Sequence, residues 1–468
     1  MIRVVLKGHD NFYGLADILR LYCDRTSEDR EGSCVTGIFE KDITLISEMT
    51  EDGLVATYEE GTSPRYEEPE IPVKRAVKRS LYKHLEKITG ISFPWGCLTG
   101  IRPTLVADEV KDTDLMMRSY LVRKDKAELA LRTARKENEI LGRTEEDSLG
   151  VYVGIPFCPS RCEYCSFISQ DATGHLKRLG DYLDALTDEI SAGKRIYEGR
   201  DVDSLYIGGG TPTVFSDEEF ERLIASAVGS IASDPSCEIT VEAGRPDTIT
   251  KRKLTAMKEN GVGRICINPQ TMNDMTLQRI GRRHTVSDII RAYEEARSIG
   301  FETVNMDLIA GLKYETADDF ICSVKKVLEL KPENITVHTL YKKRRAAMSR
   351  EDVLDREGER GGVDEALVKG YEMLFEAGYE PYYLYRQKDT GHGLENVGFS
   401  LPGHECRYNV AMMSDRRDVL SFGAGGMSKR IFGGGRLERC PCIKDITGYI
   451  EKHGEAVRRK IDFFGGFT

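Results

Sequence analysis

The sequence has no apolar run approaching the roughly 18 residues that a membrane-spanning helix needs. It has one tryptophan and no excess of basic residues. The first lack excludes a helical membrane protein. The opening residues Met1-Ile2-Arg3-Val4-Val5-Leu6-Lys7 enter a strand-like pattern at once, without the charged-then-apolar layout of a signal peptide. The cytoplasm is therefore the expected location. Lys and Arg number 67 against 77 Asp and Glu, a formal net charge of −10, and the sequence pI is about 5.6. Such a chain offers no basic footprint for phosphate contacts, so nucleic acid is not an expected partner.

What the sequence does have is length and sulfur. At 468 residues and 40% apolar content it can bury a large core and predicts two or three domains. Twelve cysteines in a long chain without a signal peptide point to reduced thiols and metal ligation, not a disulfide scaffold. Cys23, Cys237, Cys266 and Cys322 sit in apolar sequence and read as small core residues. Cys158-x3-Cys162-x2-Cys165 differs, because it follows the β-branched run 151–153 in the loop Gly154-Ile155-Pro156-Phe157-Cys158-Pro159-Ser160-Arg161-Cys162-Glu163-Tyr164-Cys165-Ser166-Phe167. Three thiolates at this spacing can hold a 4Fe-4S cube. Either a fourth ligand comes from elsewhere in the chain, or one iron stays open to bind and activate something. A zinc site would need a fourth protein ligand or a water.

Along the chain, residues 1–60 mix strand-like runs (2–6, 34–39, 54–58) with a helical stretch (15–23). Helical spacing returns over 73–88 and 124–141. Turn formers cluster over 93–103 around Trp95, which reads as a junction packing residue. From residue 149 a regular alternation begins, with strands expected over 151–155, 204–207, 238–242, 264–268, 303–308 and 334–338. Helices are expected between them, over 176–197, 217–232, 250–260, 287–298 and 316–330. That alternation implies right-handed βαβ crossovers and a parallel sheet. The expected division is 1–148 (α+β accessory domain), 149–340 (core) and 341–468 (C-terminal cover).

The unusual polar residues fall at strand ends. The cysteines follow the first strand, Gly208-Gly209-Gly210-Thr211-Pro212-Thr213 the second, and Glu242 closes the third. Gln270 follows the fourth, Asp307 lies near the end of the fifth, and His338 ends the sixth. The carboxyl edge of a parallel sheet is where α/β proteins bind ligands. Three glycines in a row let backbone N–H groups approach a ligand without a Cβ in the way. Carboxylates at a common mouth suit ribose hydroxyls or an ammonium group.

These segments carry a resemblance. Cys158-x3-Cys162-x2-Cys165, Tyr206-Ile207-Gly208-Gly209-Gly210-Thr211-Pro212-Thr213, Val241-Glu242-Ala243-Gly244-Arg245-Pro246 and Asn305-Met306-Asp307-Leu308-Ile309-Ala310-Gly311-Leu312 resemble the radical S-adenosylmethionine enzymes related to oxygen-independent coproporphyrinogen III oxidase. The likeness is greatest to the HemZ-type branch. It implies an α/β fold, a partial (β/α)6 barrel with a small N-terminal α+β domain and a C-terminal lid region. It implies a 4Fe-4S cluster held by Cys158, Cys162 and Cys165, with S-adenosylmethionine on the open iron. The family's contacts to that cofactor match Tyr152, Tyr164, Gly209, Gly210, Thr211 and Glu242. Contacts to a second S-adenosylmethionine match Gln270, Arg282 and Asp307. The implied reaction turns two propionates of coproporphyrinogen III into vinyl groups with loss of carbon dioxide, which requires an electron donor and an electron acceptor.

Carboxylates of such a tetrapyrrole need cations, for which Lys342-Lys343-Arg344-Arg345, Arg386 within Pro381-Tyr382-Tyr383-Leu384-Tyr385-Arg386-Gln387-Lys388, and Arg407 are candidates. Phe422-Gly423-Ala424-Gly425-Gly426-Met427 resembles the family's C-terminal glycine stretch, which reaches back toward the cofactor. Cys440 and Cys442 are a weak second metal motif. Phe167 stands where the decarboxylating enzyme has a fourth cysteine, so the loop also resembles the haem-chaperone branch. That branch has a histidine where this chain has Tyr408, and a tryptophan that is absent here. The alternative readings are a haem-binding or haem-transfer protein, and a radical enzyme acting on another substrate such as RNA.

Overall fold

The computed structural model describes residues 1–23, 26–28, 33–165, 170–172, 176–340, 360–387, 393–433 and 436–465. Phe167, Lys388 and the basic run 342–345 lie outside the described residues. The chain divides into two units, one of residues 1–134 with 384–395, the other of residues 135–383 with 396–468.

The first unit carries strands β1 (Ile2–Lys7), β2 (Thr26–Glu28), β3 (Cys34–Gly37), β4 (Ile43–Met49) and β5 (Val55–Glu59) in the order β2-β3-β1-β4-β5. β1 runs parallel to β4, and the other pairs are antiparallel. Its helices are α1 (Phe12–Tyr22), α2 (Val73–Thr89), α3 (Pro103–Val110), α4 (Thr113–Tyr120) and the start of α5 (Lys124–Leu141). Strands β2 and β4 and helices α3 and α4 go beyond the elements expected from the sequence. Trp95 is wholly buried, and its indole N–H donates to Glu395 Oε2 at 2.7 Å. Lys126 Nζ lies 2.6 Å from Glu395 Oε1, with both side chains buried.

Removing one member of a buried ion pair strands the other charge, a loss of about 3–5 kcal/mol. Glu395→Ala is therefore expected to destabilise this unit by about 3–5 kcal/mol, read as a denaturation midpoint from the fluorescence of Trp95, the chain's one tryptophan. A change under about 1 kcal/mol would contradict the pairing.

The second unit is built on β6 (Leu149–Ile155), β9 (Val202–Gly209), β10 (Glu238–Glu242), β11 (Arg264–Cys266), β12 (Thr303–Ala310) and β13 (Asn334–Thr339), with the short pair β7 (Phe157–Cys158) and β8 (Gln170–Asp171) after β6. The six long strands lie side by side in chain order and all neighbours are parallel. β6 and β9 are buried almost throughout, as expected where helices cover both faces of a parallel sheet. The crossovers are α6 (Leu176–Ala192) with α7 (Lys194–Tyr197), α8 (Asp217–Ile231), α9 (Lys251–Glu259), α10 (Asp274–Arg279) with α11 (Val286–Ile299), and α12 (Ala317–Leu330). Three of them start on reciprocal capping boxes, Ser216 with Glu219, Thr285 with Asp288, and Thr316 with Asp319. Each box satisfies N–H groups that the first turn leaves unpaired, which sets where the βα loop stops.

The C-terminal region adds strands to the sheet. After α13 (Arg360–Glu376) come β14 (Glu380–Arg386), β15 (Glu395–Ser400), α14 (Arg407–Met413), β16 (Asp418–Phe422), β17 (Met427–Phe432), β18 (Arg436–Pro441) and α15 (Ile446–Phe464). Their strands extend the sheet to the order β14-β15-β13-β12-β11-β10-β9-β6-β16-β17-β18. β16 is parallel to β6. Gly423, at φ +93°, then lies against Gly154, where a Cβ would come within 2.4 Å of the Gly154 carbonyl oxygen. The glycine stretch thus packs on the strand that launches the cysteine loop.

Two expectations need correction, and a third residue is placed. Cys322 is exposed on α12, not a core residue. Arg386 is buried and spends its guanidinium on the carbonyls of Gly393 and Leu98. Arg407 donates through its Nη2 to the Ser236 carbonyl and through its amide to Glu238. Arg386 holds the fold together, because buried carbonyls need the donors that a substrate would otherwise take.

Candidate active site

Strand register brings the site residues onto one face. Tyr152 pairs with Tyr206, and two residues further along Gly154 pairs with Gly208. Glu242 is level with Cys266, and Cys266 with Asn305. Asp307 follows two residues on in β12, and His338 lies two beyond its register partner Thr336 in β13. Because side chains alternate along a strand, these residues all point to the same side, at successive heights toward the carboxyl edge. The fourth strand is shorter than expected and ends at Cys266. Gln270 lies beyond it in the left-handed region at φ +69°, where its N–H donates to the Asp307 carbonyl at 2.8 Å.

Glu242 is the hub. Its two carboxylate oxygens accept from the Tyr206 hydroxyl at 2.6 Å and the Gly209 N–H at 3.0 Å. Burial pushes its carboxyl up to about 7, against these two bonds, which favour the charged form. Tyr152, Tyr206 and Tyr408 form a triangle of near-parallel rings, with centroids 4.8 Å apart for Tyr206 and Tyr408, 5.9 Å for Tyr152 and Tyr408, and 6.2 Å for Tyr152 and Tyr206. Gly208 is glycine by necessity, since a Cβ would meet the Glu242 carboxyl carbon at 2.8 Å.

The cysteine loop is anchored to neighbouring strands by its backbone. Thr211 N donates to the Phe157 carbonyl at 2.7 Å, Ala172 N to that of Cys158 at 2.9 Å, and Glu163 N to that of Ile280 at 3.1 Å. Thr211 Oγ1 lies 3.5 Å from Cys158 Sγ. Arg282 donates to the Tyr164 hydroxyl at 3.0 Å and to the Asn268 carbonyl at 2.6 Å. Further along the edge, His338 Nε2 is 3.8 Å from Asp307 Oδ2. Burial opposes the ionisation of Asp307, but His338 outweighs it and holds the carboxyl below its usual range. Burial alone would depress His338, yet Asp307 lifts it above an ordinary imidazole.

Residues 152–327 match the radical SAM superfamily. The chain is 35% identical over 437 residues to the oxygen-independent coproporphyrinogen-III oxidase-like protein HemZ of Bacillus subtilis, across 90% of this chain and 87% of that one. The chain belongs to the radical SAM family of oxygen-independent coproporphyrinogen-III oxidase-like proteins. It is also 26% identical over 330 residues to the heme chaperone HemW of Escherichia coli, covering 68% of this chain and 81% of that protein. Among solved structures, coproporphyrinogen III oxidase (HemN) of Escherichia coli shares the fold, with a TM-score of 0.56, 24% identity, and coverage of 69% of this chain and 73% of that one.

As a radical SAM protein, the chain has a 4Fe-4S cluster and S-adenosylmethionine as its cofactors. The residues at the carboxyl edge fit them. Beside the loop, the buried atoms Asn268 Oδ1, Arg282 Nε and His284 Nε2 have no protein partner, which leaves polar capacity facing the cofactor region. Gly210 has no room for a side chain, since a Cβ would fall 2.4 Å from the Phe157 carbonyl oxygen. The glycine strip and the cysteine loop are therefore in backbone contact.

Sequence reasoning missed Tyr206, Arg245, Asp247, His284 and Ser160 as site residues. Tyr206 and Arg245 stood inside recognised motifs, but only the register of β9 against β10 and the packing of the 243–248 loop against the cysteines show what they touch. The Cys440 and Cys442 pair is buried, and Lys460 Nζ lies 3.7 Å from Cys442 Sγ.

Proposed function

We propose that the chain is a cytoplasmic oxygen-independent coproporphyrinogen III oxidase that decarboxylates two propionates of its tetrapyrrole substrate to vinyl groups. When bound, the reduced cluster and S-adenosylmethionine supply a 5′-deoxyadenosyl radical that takes a hydrogen from the propionate side chain. Cys158, Cys162 and Cys165 hold the cluster. Gly209, Gly210 and Thr211 offer backbone and hydroxyl groups to the amino-acid end of the cofactor, and Tyr152 and Tyr164 line it. Glu242 takes its cationic or hydroxyl groups. Gln270, Arg282 and Asp307 form the adjoining part of the edge, suited to a second S-adenosylmethionine or to the substrate. An electron donor to the cluster and an acceptor for the electron left after decarboxylation complete the partners.

Tyr408 carries this reading over a haem-binding one. It stands where the resemblance places the chaperone's histidine, yet its ring is packed against both Tyr152 and Tyr206 and buried. Burial pushes its hydroxyl well above the ordinary tyrosine value, so the phenolate that would ligate a haem iron is disfavoured. Titrating the anaerobic protein with haem separates the readings. Weak, substoichiometric binding is expected, and a stable one-to-one complex without S-adenosylmethionine cleavage would favour the chaperone.

The elevated Glu242 gives a second handle. In the cofactor-free chain its carboxyl is raised from 4.5 to about 7, so the stability tied to its neutral form is present below 4.5 and lost as pH rises through about 7. A cofactor carrying an ammonium and a sulfonium favours the charged carboxylate. Binding of S-adenosylmethionine at about pH 6.5 is thus expected to release a proton fraction. Calorimetry in two buffers of different ionisation enthalpy would read that release, which should vanish in Glu242→Gln. Equal heats for the unaltered protein in both buffers would contradict the role of Glu242.

A further inference from the structure

Arg245 lies just past β10, three residues after Glu242, and is 3% exposed. Its Nη1 is 3.8 Å from Cys162 Sγ. Nη1 and Nη2 both lie 3.2 Å from Ser160 Oγ, on the same loop as the cysteines. The rest of the fork is fixed from behind, with Nε and Nη2 each 3.0 Å from the two oxygens of Asp247. His284 Nδ1, 3.2 Å from Asp247 Oδ1, holds that carboxylate in turn. A bidentate pair of this kind sets direction as well as charge.

We propose that Arg245 is a positioning residue that raises the reduction potential of the cluster through the Cys162 sulfur, with Asp247 and His284 aiming it. The inference rests on Cys162 being a cluster ligand. A guanidinium stays charged at any accessible pH, and in a buried site its field is weakly screened. Reduction adds a negative charge to the cluster, so a fixed cation and an N–H near a ligand sulfur stabilise the reduced form. Asp247 lies on the far side of the guanidinium and offsets part of that field. The two residues should therefore shift the potential in opposite directions.

An EPR-monitored redox titration of the full chain, reconstituted anaerobically with iron and sulfide, tests this. Arg245→Gln is expected to make reduction about tenfold less favourable, a midpoint about 59 mV lower for one electron. Asp247→Asn is expected to move the midpoint upward, and Arg245→Lys to keep it close to the unaltered protein. A structural role alone would lower cluster content without this pattern of signs. An unmoved or raised midpoint in Arg245→Gln, or a shift of both variants in one direction, would overturn the proposal. Should Arg245→Gln take up no iron, Asp247→Asn decides, and a midpoint at or below that of the unaltered protein would overturn it. An unaltered protein that takes up no cluster would overturn the ligand assignment and this proposal with it.

Discussion

Replacing any one of Cys158, Cys162 and Cys165 by alanine is expected to leave a folded protein with neither cluster nor S-adenosylmethionine cleavage. On the proposed assignment each thiolate holds its own iron, and two ligands cannot hold a cube whose fourth iron is already open. The loop keeps its shape by other means. Cys165 N bonds the Cys162 carbonyl at 3.1 Å, Gln170 N the Pro156 carbonyl and Ala172 N the Cys158 carbonyl, each at 2.9 Å. None of these involves sulfur, so stability should change by no more than about 1 kcal/mol. Iron and sulfide content, the EPR signal of the reduced protein and 5′-deoxyadenosine formation are the readouts. A variant that kept both iron and cleavage would show that its cysteine is not a ligand.

Gly210→Ala is expected to separate cluster loading from catalysis. The new Cβ would sit 2.4 Å from the Phe157 carbonyl oxygen and 2.9 Å from its carbonyl carbon. No flexible side chain can move aside, because both partners are backbone. The contact is also stitched by Gly210 N to the Ile155 carbonyl and Thr211 N to the Phe157 carbonyl, both at 2.7 Å. The strip must withdraw from the cysteine loop by a fraction of an ångström or more, at a stability loss of about 1–3 kcal/mol. A displacement of about 1 Å at a positioning element can lower a rate about 10²-fold. The three cysteines remain, so iron content should hold while 5′-deoxyadenosine formation falls by about that factor. Unchanged cleavage would mean that the strip does not shape the cofactor site.

The core strands were legible because a parallel sheet covered on both faces needs nearly continuous buried runs, and 149–155 and 202–209 have them. The helix starts were legible because Ser216, Thr285 and Thr316 each stand three residues before an acid that completes the cap. The sheet membership of β14 to β18 was not, since pairing β16 with β6 joins segments some 270 positions apart in number and leaves no local mark. β4 was missed because its buried positions alternate with partly exposed ones over only seven residues.

The site divides in the same way. The cysteines, Gly209, Gly210, Thr211 and Glu242 lie on motifs whose spacing reflects a backbone requirement. Arg386 looked suited to carboxylates because charge beside aromatic sequence resembles a binding surface, but it turns inward to buried carbonyls. Arg245 escaped notice for the converse reason. What it does depends on Ser160 and Cys162, more than eighty residues earlier.

The most direct test of the proposed reaction supplies the anaerobically reconstituted protein with reductant, S-adenosylmethionine and coproporphyrinogen III labelled in its propionate carboxyls. Labelled carbon dioxide and protoporphyrinogen IX are expected, two molecules of carbon dioxide for each product. Methionine and 5′-deoxyadenosine formed without any release of labelled carbon dioxide would contradict it.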